Sequence, residues 1–307
     1  MLKILSAISP LFIIIFVSAI LQRVKNLNKN WKVVLNDYAL KIGLPALVFA
    51  SLSKTSFSLS ENATVIFANS AFLIGSFLIA LIAKKIFRLN RQLSRTLFMC
   101  FGFGSVAYLG IPILEEIYGK NVLPVASIIV AIYLFWKFTI GLGYLEYDQM
   151  ASKKGVITKV AKHLIANPIL VAVVAGIVVG TFQIPIPIVI GRAIDMVVAS
   201  VTPTVLVVMG LFIGRSDFGK LSEWVPVFIF SLFILFVMPG LFYLGIKLAG
   251  LNPQSLSTTL IESAMPAAIT PFALADEYSL DKTFIARTIV LSTILSVVSV
   301  PFWISVF

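Results

Sequence analysis

The chain has 307 residues, 59% of them hydrophobic and only 12% charged, with a mean hydropathy of +1.04 and a formal net charge of +11. A soluble domain carries about 25% charged residues, so a water-facing surface cannot be built from this composition and most of the surface must face lipid. One cysteine (Cys100) and one histidine (His163) exclude an internal disulfide, a cysteine metal cluster and multi-histidine metal sites.

A hydrocarbon core about 30 Å thick takes roughly 20 apolar residues per helix. Ten such stretches follow one another, which predicts an all-α polytopic membrane protein of ten transmembrane helices with no room for a soluble domain. Stretch 1 (Leu5–Leu21) is read as a retained helix. Its apolar run exceeds a signal-peptide core, and Ser18-Ala19-Ile20-Leu21-Gln22 is a poor cleavage site. Stretch 2 (Val33–Leu52) contains Pro45 and places Asp37 and Lys41 four apart, where they can pair on one helix face. Stretch 3 is Ala63–Phe87. Stretch 4 (Leu93–Ile113) is interrupted by Gly102, Gly104, Ser105, Gly110 and Pro112. Stretch 5 (Val122–Tyr144) holds Lys137 deep inside. The polar loop Glu146–His163 then divides the chain nearly in half. Stretches 6 (Ile165–Phe182), 7 (Pro187–Ile213, with Pro203) and 8 (Trp224–Leu248) follow. Stretch 9 (Leu256–Ala275) is interrupted by Pro266 and Pro271, and stretch 10 is Phe284–Phe307.

The basic residues sit in short loops between these stretches, a pattern that sets membrane topology rather than binding nucleic acid. Sixteen Lys and Arg fall in the loops after stretches 1, 3, 5, 7 and 9, among them Lys29, Lys32, Lys153, Lys154, Arg215 and Lys282, and five, including Lys3, on the other side. The bias puts the first set in the cytoplasm and both termini outside, in a plasma or inner membrane.

Five stretches on each side of the loop make the halves enter the membrane from opposite sides, as an inverted repeat does: 1–148, a cytoplasmic linker 149–164, and 165–307. Stretches 2 and 7 both carry an internal proline, and stretches 4 and 9 are both broken by glycine, proline and small polar residues. Proline removes a backbone donor and clashes with the preceding turn. Breaks survive in a membrane only inside protein or beside a water-filled cavity, and a matched pair of them points to a transporter binding site. Ordinary kinks are the alternative.

Gly43-Leu44-Pro45-Ala46-Leu47-Val48-Phe49, Leu109-Gly110-Ile111-Pro112-Ile113, Ala166-Asn167-Pro168-Ile169-Leu170, Ala264-Met265-Pro266-Ala267, Ala275-Asp276-Glu277-Tyr278 and the run from Thr288 to Ser296 lie in order over nearly the whole chain. In these the sequence resembles the auxin efflux carrier family, which includes bacterial permeases for organic acids. The resemblance implies a fold similar to that of bile acid:sodium symporters, with stretches 4 and 9 crossing as broken helices. Stretches 1, 2, 6 and 7 would be the scaffold, and 3–5 with 8–10 the mobile, substrate-carrying unit. It also implies alternating-access transport of a small organic anion. Family members carry an asparagine before the Gly-x-Pro of stretch 4 and another after the proline of stretch 9. Ser105 and Thr270 stand at those positions. A hydroxyl reaches less far than a carboxamide and offers one donor instead of two, so auxin-like specificity is not carried over.

Candidate substrate-binding residues are Ser105, Tyr108, Gly110, Pro112, Pro266, Thr270 and Lys137. The half-helices after Gly110-Ile111-Pro112 and Met265-Pro266 are expected to offer free N–H groups and positive dipole ends to an anion. Lys137 either attracts the anion or pairs structurally with a carboxylate. Glu262, four residues before Pro266, either carries a coupling H⁺ or Na⁺ beside the crossing or snorkels at the membrane boundary. Arg287 is expected to anchor, Glu115, Glu116, Asp276 and Glu277 to mark span ends, and His163 to be a solvated residue. The expected partners are a small organic anion and the bilayer, without nucleic acid, and a homodimer is left open. No cofactor or metal is expected. An intramembrane enzyme is disfavoured: a single histidine cannot build a metalloprotease, and Gly102-Phe103-Gly104-Ser105 lacks the acid of an aspartyl protease. No acidic Mg²⁺ cluster or phosphate loop occurs either. A sodium-coupled uptake carrier, a channel and a membrane sensor are the remaining alternatives.

Overall fold

The structure is a computed structural model that describes residues 2–25, 27–55, 59–102, 104–149, 155–216 and 220–306. Phe103, Lys153 and Lys154 lie outside the described residues, as do the side chains of Lys3 and Lys29. Among the described residues the protein is helical throughout, apart from one isolated backbone bridge. Seven helices are long and apolar enough to cross a membrane. They are α1 (Leu2–Lys25), α2 (Asn30–Ser53), α3 (Leu59–Ile86), α6 (Lys120–Asp148), α9 (Ile188–Arg215), α10 (Val225–Leu248) and α13 (Lys282–Val306). An eighth span is formed by α7 (Val156–Ile165) and α8 (Pro168–Thr181), which bend by 59° at Ala166-Asn167. Asn167 caps α8, its side chain accepting from the N–H groups of Ile169 at 3.0 Å and Leu170 at 3.2 Å. Stretches 4 and 9 contain no helix of spanning length, because each is split. The first gives α4 (Arg91–Gly102) and α5 (Ile111–Tyr118), the second α11 (Ser257–Ser263) and α12 (Thr270–Leu274).

Proline sets the irregularities. Pro45, Pro112 and Pro239 each follow a π-helical turn, at Ala39–Gly43, Val106–Gly110 and Phe233–Val237. In all three the residue before the proline donates its N–H to the carbonyl five residues back: Leu44 to Ala39, Ile111 to Val106, Met238 to Phe233. Proline supplies no N–H and crowds the carbonyl four residues earlier, and widening the turn relieves both problems.

Glycine sets the closest helix contacts. α1 packs most extensively against α9, and α2 against α8. A Cβ at Gly210 would strike the Ile15 carbonyl, and one at Gly214 the Ala19 carbonyl. A Cβ at Gly180 would strike the carbonyls of Thr55 and Leu52, and one at Gly176 would press on Leu52 and Phe49. Lipid tails are as apolar as leucine, so close backbone approach at small-xxx-small patterns is what holds such helices together. Gly176-x-x-x-Gly180 and Gly210-x-x-x-Gly214 are both of that kind. α2 and α9 also meet at their irregular points, where the Tyr38 and Ser200 hydroxyls are 2.6 Å apart. In the rest of the molecule α3 packs on α6 and α10 on α13, with the broken segments between them.

Candidate functional site

The two breaks meet. Gly104 and Ala267 form an isolated antiparallel bridge. The Ser105 N–H donates to the Pro266 carbonyl at 2.8 Å, and the Ala267 N–H to the Ser292 hydroxyl of α13 at 3.1 Å. The Lys137 ammonium donates to the Gly104 carbonyl at 3.0 Å. Backbone groups freed by the breaks are thus taken up by protein, as a hydrocarbon environment demands.

A cavity of about 360 Å³ opens beside this crossing. It is lined by Ser105, Tyr108, Lys137 and Thr270 among the expected site residues, and by Lys32, Asn36 and Lys282, which sequence reasoning did not single out. The Tyr108 hydroxyl donates to the Asn36 side-chain oxygen at 2.9 Å. Lys32 lies 5.1 Å from the Phe212 ring centroid and 5.4 Å from that of Phe272. A neighbouring cavity of about 230 Å³ shares Lys32, Phe272 and Lys282 and adds Arg215, so the mouth is basic. Lys282 also pairs with Asp276. The spacing of Lys32 and Asn36, four apart on one helix face, was the available signal. Lys32 read as a loop charge after stretch 1, and Asn36 carried no reading of its own.

The helix starts differ from expectation. The N–H groups of Leu109 and Gly110 both donate to the Ser105 carbonyl and that of Ile111 to Val106, so helical bonding begins at Ser105, well before Pro112. On the second arm the Phe272 and Ala273 N–H groups donate to the Ile269 carbonyl. The first turns of both arms, 105–107 and 268–270, line the same cavity. The positive dipole end of each arm therefore lies at the cavity. Gly110, Pro112 and Pro266 do not line it. They shape the backbone, and a Cβ at Gly110 would collide with the Glu262 carboxylate.

Glu262 on α11 is 1% exposed, which removes the boundary reading. Neither carboxylate oxygen has a hydrogen-bond partner, and the neighbouring Tyr133 hydroxyl is also buried and unbonded. Both line a small cavity of about 20 Å³, room for one water. Lys137 acts on Glu262 electrostatically.

Charges elsewhere are structural. Asp37 and Lys41 pair at 2.7 Å on the surface, and Arg287 pairs with Glu223 at 2.6 Å. Glu146, buried near the end of α6, accepts from the Tyr278 hydroxyl at 2.6 Å and from Lys159 of α7 at 3.0 Å. Burial, then the hydrogen bond to Glu146, pushes the Tyr278 phenol well above its ordinary range. His163 is exposed and stacks on Phe138.

An all-helical membrane protein whose interrupted helices meet beside a cavity has the construction of a membrane transporter. The family described as "Membrane transport protein" matches residues 3–304, and the chain belongs to this family, that of the auxin efflux carriers. It is 21% identical over 304 residues to a Rhizobium meliloti (strain 1021) protein named "Putative malonate transporter", covering 98% of this chain and 94% of that one. It is 23% identical over 278 residues to an "Uncharacterized transporter" of Methanocaldococcus jannaschii, covering 88% of each. A third relative, an "Uncharacterized transporter" of Methanothermobacter thermautotrophicus, is 26% identical over 273 residues, covering 88% of this chain and 87% of the relative.

Proposed function

We propose that the protein is a secondary-active carrier of a small organic anion that works by alternating access, with the anion held where the two broken helices meet. The observation that carries this reading is the shared cavity: the first turns of both arms, the Tyr108–Asn36 pair and three lysines converge on it. Cationic side chains and two positive helix ends favour a carboxylate.

The reading includes ten spans in a five-plus-five inverted repeat, 1–148 and 165–307, joined by the linker 149–164. Its support is that the packing comes in matched pairs. α1 on α9 corresponds to α8 on α2, α3 on α6 to α10 on α13, and each half contributes one break. The glycine-seamed quartet α1, α2, α8 and α9 is the scaffold, and the remainder moves past it in an elevator-like stroke. With the basic loops in the cytoplasm of a plasma or inner membrane and both termini outside, the mouth formed by Lys32, Arg215 and Lys282 is cytoplasmic, and this conformation faces inward. Glu262 is the seat of a coupling ion, H⁺ or Na⁺, because it is a buried carboxylate without a hydrogen-bond partner next to the crossing. The same carboxylate favours, as a second reading, sodium-coupled uptake like that of bile acid symporters.

Radiolabelled malonate, taken from the name of a relative, and a panel of other small acids are to be offered to proteoliposomes with imposed proton and sodium gradients. Saturable, gradient-driven uptake is expected. Uptake that does not saturate would replace the carrier by a channel, and absence of flux for every acid would replace it by a sensor.

A further inference from the structure

Resting on the carrier reading, we propose that the Lys137 ammonium is a resident cation of the crossing, standing where a broken-helix carrier would otherwise bind an alkali ion, so that the protein needs no Na⁺. In such carriers the unwound carbonyls coordinate the coupling cation. Here the unwound Gly104 carbonyl accepts from Lys137 at 3.0 Å. Lys137 is 4% exposed, and its charge acts on Glu262, 1% exposed. A buried carboxylate without hydrogen bonds is costly unless a cation accompanies it, and the chain supplies that cation covalently.

The space beside Glu262 argues the same way. The cavity of about 20 Å³ is walled chiefly by Phe72, Leu73, Phe101, Ile234 and Met238. Its side-chain oxygens are those of Glu262, Tyr133 and Ser263, and the Ser263 hydroxyl already donates to the Leu260 carbonyl at 2.6 Å. With the Gly104 carbonyl taken by Lys137 and the Ser263 hydroxyl by Leu260, the cavity suits one water molecule rather than an alkali ion and its shell of ligands. Lys137 also lines the 360 Å³ cavity, so an arriving carboxylate meets the same ammonium whose charge acts on Glu262. Anion binding and the charge state of the crossing are thereby linked through one side chain.

The full chain is to be compared in choline, sodium and ethylammonium chloride, by thermal melting in detergent and by malonate uptake into proteoliposomes. For the wild type, both readouts are expected to be the same in all three salts. In choline, Lys137→Ala should lose about tenfold or more of the uptake, as removal of one buried charge partner does. Ethylammonium or Na⁺, filling the vacated place, should restore part of it and raise the melting temperature of the variant. A mere packing role for Lys137 would not produce that cation dependence. Should Lys137→Ala not accumulate, Lys137→Met keeps most of the stem volume and is read in the same way. Na⁺-dependent uptake or Na⁺-raised melting of the wild type overturns the inference. So does a Lys137→Ala or Lys137→Met variant that transports normally in choline, or one whose melting no cation moves. If the wild type carries no acid at all, the carrier reading falls, while the melting curves still decide whether Lys137 fills a cation place.

Discussion

The glycine seams make the sharpest demand on the structure. At Gly180 and Gly210 the atoms facing a new methyl group are main-chain carbonyls of Leu52, Thr55 and Ile15, which cannot rotate aside. Gly210→Ala must push α1 and α9 apart, and Gly180→Ala must do the same to α2 and α8. Overpacking of this kind costs about 1–3 kcal/mol, against which alanine recovers up to about 1 kcal/mol of helix propensity. The net expectation is a loss of up to about 2 kcal/mol per site, or a few degrees in melting temperature for a chain of this size. Gly75→Ala and Gly245→Ala are the controls. A Cβ at either position meets nothing within 4 Å, so these variants should melt with the wild type or slightly above it. Thermal melting in detergent, read by loss of the monodisperse peak, measures all four. Uptake by the seam variants should fall only in step with the folded fraction, because neither seam lines the cavity. If Gly180→Ala and Gly210→Ala melt together with the two controls, the seams are not close backbone contacts and the scaffold assignment fails.

Other outcomes follow from the site and its surroundings. Tyr108→Phe removes the 2.9 Å bond to Asn36 and should raise the half-saturating anion concentration by up to about tenfold, with melting unchanged; an unaltered uptake curve would detach this pair from the substrate. Lys32→Gln and Arg215→Gln discharge the basic mouth and should lower uptake at low ionic strength while flattening its salt dependence, which a salt series will show. Glu262→Gln loses no hydrogen bond to the carboxylate but leaves Lys137 without its counter-charge, so it should melt below the wild type and should uncouple uptake from the ion gradient; uptake with an unchanged dependence on pH and sodium would remove Glu262 from coupling. Because the Tyr278 phenol is held above its ordinary range, its bond to Glu146 stabilises fully below pH about 10 and is lost as pH rises through the higher folded value. Tyr278→Phe should therefore flatten the alkaline limb of stability, measured by melting from pH 8 upward.

Much of the architecture was legible because lipid imposes simple rules. Apolar length gave the seven helices of spanning length and the bent eighth, and proline with glycine gave the breaks in stretches 4 and 9. What stayed hidden had a local cause each time. The turn before Pro112 widens rather than stops, so the helix start lies at Ser105 and not beyond the proline. Gly176, Gly180, Gly210 and Gly214 read as ordinary glycines, because only the partner helix shows that no Cβ fits. Glu262 read equally well as boundary or core, because its burial depends on α4, α6 and α10 folding over it.

The lysines at the mouth show why composition and site could not be separated by inspection. Lys32, Arg215 and Lys282 satisfy the topology bias fully as loop charges, and nothing in their spacing along the chain links them. Folding brings them to one rim because residue 32 starts a span, residue 215 ends another and residue 282 starts a third, all on one face. A carrier of anions gains from this economy. On the proposed reading, the charges that orient the helices during insertion would also raise the local anion concentration at the cavity, with Lys137 on the cavity lining to meet the anion. Moving a rim charge to another loop of the same set, as in an Arg215→Ala/Gln92→Arg exchange, would keep the topology bias while weakening the rim. If uptake survived that exchange unchanged, the rim would serve insertion alone.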